Sequence, residues 1–178
     1  GLTGFVGFGL LAAFSFLVNN DMVIFLLSIS LSAACSGFLP LNFPNAKVFM
    51  GDAGSVFLGF VFASFVVKLS TSIGIFLCLI MFLCTFYADA IVTIYYRWRK
   101  GENLMRAHRS HLYQYLSNEL RFPHWKVSTI YAFIQLIFGI LALFAFGKGL
   151  IWQYAILIIF STLFLASYRI IKNIRPVE

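Results

Sequence analysis

Charge is what this sequence has least of. Asp and Glu number six in 178 residues and Lys and Arg 13, so charged residues make up 11% of the chain. Soluble domains carry roughly 25%. Hydrophobic residues reach 61% and aromatics 19%, with a mean hydropathy of +0.93. A soluble fold of this length has no interior large enough for so much apolar surface, which implies an integral membrane protein. Cysteine is scarce too. Cys35, Cys78 and Cys84 all fall inside apolar runs and form no Cys-x-x-Cys or Cys/His pattern, which argues against a disulfide framework and a zinc site. The first residue is Gly1, no charged n-region precedes the first apolar run, and no signal peptide is legible. There is no repeat of fixed period and no low-complexity segment. A net charge of +7 would suit a nucleic-acid partner if the basic residues formed one face. They lie between hydrophobic runs instead, as the positive-inside rule describes, so a nucleic-acid partner is rejected.

What the chain does have is long apolar runs. A spanning helix needs about 20 mostly apolar residues, and six stretches serve: about 3–19, 22–41, 55–69, 72–96, 127–147 and 152–171. The implied fold class is all-α, a polytopic transmembrane bundle of about six spanning helices, with residues 1–178 as a single transmembrane domain. In the first stretch Gly1, Gly4 and Gly7 share one stripe, where another helix packs closely. Asn19-Asn20-Asp21 ends it. The third stretch is short for a full crossing. The fourth is long and runs into Tyr95-Tyr96-Arg97-Trp98-Arg99-Lys100, an aromatic and basic interface anchor. In the polar stretch that follows, Leu112, Leu116 and Leu120 recur every four positions, which predicts a short helix on the membrane surface.

Arg97, Arg99, Lys100, Arg106, Arg109, Arg121 and Lys126 crowd into the 97–126 loop, and Arg169, Lys172 and Arg175 mark the C-terminal end. The positive-inside rule puts both on the cytoplasmic side. Two spans separate them, so the assignments agree. Counting back two spans puts the 42–54 loop on the same side. Every outward loop is short, and an activity on the cytoplasmic face follows.

Three places carry candidate chemistry. The first is Asn42-Phe-Pro-Asn-Ala-Lys-Val-Phe-Met-Gly-Asp-Ala-Gly-Ser55, which holds Lys47 and Asp52. Asp52 suits the N-cap of a helix starting near Ala53. Such an N-terminus, with Gly51 and Gly54 beside it, also exposes backbone N–H groups to phosphate. A carboxylate fits there if a divalent cation intervenes, because Mg2+ is held by one or two carboxylates plus substrate phosphates. The second is Asp89, about two helical turns inside the fourth span. An Asp at a helix centre costs roughly 2.5–3.5 kcal/mol on insertion scales. It is either functional or the buried partner of a neighbouring Arg or Lys. The third is Arg106-Ala-His108-Arg109-Ser110-His111. Two His three apart share a helical face, and Arg109 offers a planar fork for phosphate. The bland reading is a solvated basic loop. His124 reads as an interface residue.

The segment from Asn42 through Ala46-Lys47-Val48-Phe49-Met50-Gly51-Asp52-Ala53-Gly54-Ser55 resembles the signature of the polyprenyl-phosphate N-acetylhexosamine-1-phosphate transferases, of the glycosyltransferase family 4 type. Asp89, Arg97, Gly101 and His108-Arg-Ser-His111 resemble the Asp–Arg–Gly–His-Arg-x-His block of the glycan-initiating branch. These membrane enzymes move a sugar-1-phosphate from a UDP-sugar to a polyprenyl phosphate, such as undecaprenyl phosphate, and release UMP. The resemblance implies an enzyme of the bacterial inner membrane, with its active face cytoplasmic, opening a cell-envelope polysaccharide such as an O-antigen. It makes Asp52 a catalytic residue and the ligand of Mg2+, with Mn2+ as a substitute. It makes His108 and His111 catalytic and gives Asn42, Lys47, Asp89 and Arg109 to substrate binding. The implied partners are the UDP-sugar, the polyprenyl phosphate lipid, the bilayer and a homodimer mate.

The sequence departs from the family pattern in places. Pro44-Asn45 stands where Pro-Pro is common, which loosens the loop without removing a ligand. His-x-x-His replaces the consecutive His of the peptidoglycan branch and argues against that branch. Gly1-Leu-Thr-Gly4 resembles the end of the family's Asn-x-x-Asp-Gly-x-Asp-Gly segment, so the chain resembles roughly a C-terminal half. The rival readings are a transporter or channel segment without chemistry and an inactive fragment lacking the upstream carboxylates. Residues 1–178 alone are therefore expected to be inactive. Turnover of a UDP-sugar by the purified polypeptide would overturn that.

Overall fold

The computed structural model describes residues 1–105 and 110–174. Eight α-helices follow one another: α1 Leu2–Leu17, α2 Met22–Asn42, α3 Gly51–Leu69, α4 Ile73–Ile80, α5 Cys84–Arg99, α6 Leu112–Asn118, α7 His124–Phe146 and α8 Leu150–Asn173. There is no strand among the described residues. The fold is an all-α membrane bundle, as the apolar runs predict. A chain in hydrocarbon has no water to satisfy its backbone, and a helix pairs every N–H and C=O within itself.

Five helical stretches are long and apolar enough to cross a membrane: Met22–Asn42, Gly51–Leu69, Ile73–Arg99, His124–Phe146 and Leu150–Asn173. The sixth expected span, α1, has 16 residues and falls short by length. Asn20, at φ 51, turns the chain after α1, and Asp21 caps α2 by accepting from Ile24 N at 3.0 Å.

Two boundaries differ from the sequence reading. α3 begins at Gly51, four residues before Ser55, and its 19 residues are enough for a crossing. The polar residues there are compatible with helix because Asp52 sits in the first turn, where a negative charge meets the positive end of the helix dipole. The fourth span is not one smooth helix. A 3-10 turn at Met81–Leu83 separates α4 from α5, and all three of its side chains are buried. That turn packs on α1 and α7, with Leu83 pressed onto the bare backbone of Gly7.

α7 is the hub, packing against α1, α4, α5, α6 and α8. Phe8, Leu11, Phe14, Phe62, Leu79 and Phe82 fill the centre. Phe14 meets Phe82 and Phe146 edge-on at 6.2 and 5.7 Å, and Phe8 meets Phe62 at 5.6 Å. Small residues bring the backbones together, as helix packing in lipid requires. A Cβ on Gly4 would lie 2.9 Å from Cys35 Sγ, and one on Gly7 would lie 2.7 Å from Leu83 Cδ2. The glycine stripe read from the sequence is therefore a packing surface, shared between α2 and the 3-10 turn. Gly139 does the same for α7, with Leu10 in the space a side chain would need.

One polar link crosses this core. The Gln135 side chain is fully buried. It donates from Nε2 to Thr3 O at 2.9 Å and accepts at Oε1 from Thr85 Oγ1 at 3.2 Å. It thereby joins α7, α1 and α5.

Overpacking the α1–α7 crossing should cost about 1–3 kcal/mol. Gly139→Ile is expected to lower the melting temperature in detergent. Gly37→Ala, at a position with nothing within 4 Å, should leave it unchanged or raise it. Equal behaviour of the two variants would contradict the packing described.

Candidate functional site

The helices alternate in direction, so the end of α2, the start of α3, the end of α5, all of α6, the start of α7 and the end of α8 share one end of the bundle. The described residues of the 42–55 and 97–126 loops belong there.

The first half of the site is the turn from α2 into α3. Leu41 O accepts from both Lys47 N (2.9 Å) and Val48 N (3.1 Å), which folds the loop back on the helix. Asn42 Nδ2 donates to Val48 O at 3.0 Å, so its amide nitrogen is used to close that turn. Lys47 is exposed. Gly51 then adopts φ 70 and α3 begins. The N-cap position belongs to Met50, without a side-chain capping bond, so Asp52 is not the N-cap that a helix starting near Ala53 would have made it. Its carboxylate is exposed and makes no hydrogen bond or ion pair among the described residues. Ser55 Oγ donates to Gly51 O at 3.0 Å and stiffens this first turn.

The second half is built on Asp89, which is 3% exposed. Oδ1 accepts from Leu112 N at 2.8 Å and from Thr93 Oγ1 at 3.2 Å. Oδ2 accepts from Tyr131 OH at 3.0 Å and Tyr113 N at 3.2 Å. His111 Nδ1 lies 3.5 Å from Oδ1. Asp89 is thus buried against the first amides of α6, a tyrosine of α7 and His111. Among the described residues no Arg or Lys forms an ion pair with it, where one reading of the sequence made it the buried partner of a neighbouring Arg or Lys. Arg97 points elsewhere: Nε meets Glu102 Oε2 at 3.0 Å and Nη2 donates to Asn103 O at 2.7 Å. This clamps the turn that Gly101 makes at φ 71.

α6 and the turn after it carry the expected apolar stripe, with Leu112 and Leu120 buried and Leu116 half-buried. Its stripe is covered by protein, because α6 packs on α5, α7 and α8. Lys172 Nζ donates to Ser110 O at 3.0 Å and lies 4.2 Å from the centre of the Tyr115 ring. Tyr115 OH donates to Ile174 O at 2.7 Å. Burial, then the Asp89 charge, push the Tyr113 phenol above its ordinary value.

The structure therefore brings Asp89 and His111 together, and sets Asn42 and Lys47 in one turn just ahead of Asp52. No hydrogen bond or ion pair joins these two groups among the described residues. His108 and Arg109 lie outside the described residues. Tyr131, Lys172 and Tyr115 escaped the sequence reading as site residues. A signal existed for Tyr131, since a phenol inside a span needs a hydrogen-bond partner and Asp89 was in want of one.

Among the described residues no cluster of three His, Cys, Asp or Glu could hold a metal. A single free, exposed carboxylate fits a cation that takes its other ligands from phosphates and water, and Asp52 has that form.

Residues 1–70 match the family model described as Glycosyl transferase family 4. A phospho-N-acetylmuramoyl-pentapeptide-transferase of Staphylococcus epidermidis is 30% identical over 138 residues, covering 78% of this chain and 41% of the relative. Those of Staphylococcus haemolyticus and Staphylococcus aureus are 30% and 29% identical, with the same coverage. These matches support glycosyl transferase family 4. They agree with the resemblance read from the Asn42–Ser55 motif but do not confirm the glycan-initiating branch, since these relatives bear the peptidoglycan enzyme's name. The chain spans about 41% of the length of these relatives. No solved structure matches it.

Removing the Arg97 side chain releases the two bonds that hold the turn, at about 0.5–1.5 kcal/mol each, since Glu102 and Asn103 are exposed and water replaces the lost donor. Chymotryptic cleavage near Leu104 is expected fastest in Arg97→Ala, slower in Glu102→Gln and slowest in the unaltered protein. Cleavage of Arg97→Ala at the unaltered rate would refute the clamp.

Proposed function

We propose that the protein carrying this chain transfers a sugar-1-phosphate from a UDP-N-acetylhexosamine-type donor to polyprenyl phosphate, the membrane step that opens a cell-envelope polysaccharide. The observation that carries the reading is the Asn42–Ser55 motif folded at a bundle end, with the Asp52 carboxylate exposed on the first turn of α3 and without a hydrogen bond or ion pair among the described residues. The family match over residues 1–70, which contain this motif, supports it. In the reaction an oxygen of the lipid phosphate forms a bond to the sugar-linked phosphorus. The bond from that phosphorus to the bridging oxygen breaks, and UMP leaves with the electron pair.

Asp52 would hold Mg2+ or Mn2+, whose chemistry when bound is to neutralise charge on the pyrophosphate. The first-turn amides of α3 favour negative charge beside it. Lys47, exposed on the turn just ahead of Asp52, supplies a cation for the donor. His111, with His108 and Arg109, meets phosphate charge from the other loop. Asn42 contributes by closing the turn that presents Lys47. The His108-Arg-Ser-His111 spacing supports the glycan-initiating branch, and the basic 97–126 loop supports a cytoplasmic active face in a bacterial inner membrane.

Asp52→Asn in the full-length protein is expected to lower kcat/KM by about 100-fold or more. It should also weaken Mn2+ binding, measured by spin resonance in the presence of UMP. Near-normal turnover would sink the metal-ligand role.

A further inference from the structure

Asp89 reads from the sequence as a substrate-binding residue, and its surroundings assign it different work. A carboxylate offers about four lone-pair sites. Here Thr93, Leu112 N, Tyr113 N and Tyr131 take them, with His111 beside Oδ1. A phosphate would be repelled by this charge, and a cation would have to displace a protein donor. The donors come from α5, α6 and α7, so one buried oxygen pair ties three elements together.

The same short segment is held from its other side. Asp89 takes the amides of residues 112 and 113, and Lys172 takes the carbonyl of residue 110. His111 lies between the two grips. Its backbone is thus gripped from both flanks, by a carboxylate of α5 and an ammonium of α8. Tyr131 completes the Asp89 shell and also meets the Tyr113 ring edge-on at 6.4 Å.

We infer that Asp89 is a positioning residue: with Tyr131 and Lys172 it fixes residues 110–113, and so the place of His111, without touching substrate or metal. This rests on the reaction given under Proposed function. A misplaced group costs about 100-fold in rate when its position drifts by an ångström. The loss should fall on kcat and leave donor KM nearly unchanged.

The experiment is a cycle of Asp89→Asn, Tyr131→Phe, His111→Ala and the Asp89→Asn/His111→Ala double variant. The full-length protein is assayed with a panel of UDP-N-acetylhexosamines and undecaprenyl phosphate. Amide hydrogen exchange over residues 110–118 is followed in parallel. Asp89→Asn is expected to lower kcat by about 10- to 100-fold, with donor KM and the Mg2+ concentration for half-maximal rate within about threefold. Exchange over 110–118 should quicken. Once His111 is gone, Asp89→Asn should cost little more, because residues that act as one unit are not additive. Tyr131→Phe should move exchange and kcat the same way to a smaller extent, and it carries the test if Asp89→Asn does not fold. Multiplying effects in the double variant, a raised Mg2+ requirement, or unchanged exchange over 110–118 would each overturn the inference. An unaltered protein inactive with every donor would sink the proposed reaction instead, and exchange would still decide whether the Asp89 latch exists.

Discussion

A carboxylate enclosed among helices in a lipid-facing bundle is stable only when protein donors replace the water it has lost. Asp89 meets that condition by drawing on three elements at once. Its donors are the hydroxyl one helical turn on, the phenol of Tyr131 and the first two free amides of α6. An α-helix leaves its first amides without intrahelical acceptors, and α6 has no side-chain cap of its own. The two deficits cancel. The carboxylate needs donors and the helix start needs an acceptor, so α6 is seated where Asp89 can reach it. Much of the geometry of the 97–126 loop follows from that pairing. It fixes the start of α6, the place of His111, and the Tyr115 surface of α6 that Lys172 at the end of α8 covers.

The fold was legible because lipid leaves few choices. Apolar stretches long enough to cross form helices in such a bundle, and two of their ends were marked by Asn19-Asn20-Asp21 and by the 95–100 anchor. What stayed hidden depended on the identity of neighbours. The length of α1 hinged on where Asn19 and Asn20 turn the chain. The 3-10 turn at Met81–Leu83 has no Pro or Gly to announce it, and it exists because Leu83 settles on Gly7. α3 starts early because Asp52 suits the first turn, which a hydropathy pattern that counts Asp as a break does not register.

The site was half legible for the same reason. Asp52, Asp89 and His111 stand out because polar residues are rare among hydrocarbon. Their partners do not stand out. Tyr131 sits in an apolar span as any interfacial aromatic would, and Lys172 looks like one more positive charge after a last helix. Only the crossing of α5, α7 and α8 shows that both reach the 110–113 segment. Asn42 shows the converse. It belongs to a recognisable motif, yet its amide nitrogen is spent on its own loop, so it shapes the turn that displays Lys47.

α8 divides its work unevenly along its length. Most of its shaft faces outward, with Ile151, Ile158, Ile159 and Leu163 all exposed. Its last two turns carry Tyr168, stacked on Tyr96 at 5.2 Å, and Lys172 over Tyr115. On the outer side of the shaft any apolar side chain dissolves in lipid about equally well, whereas Gln153 and Phe160 on its inner side are buried against the bundle. At the tip a single position determines where a distant backbone carbonyl is held. The information that α8 contributes is thus concentrated on its inner side and in its last turns, while its outer side is solvent matching to the bilayer.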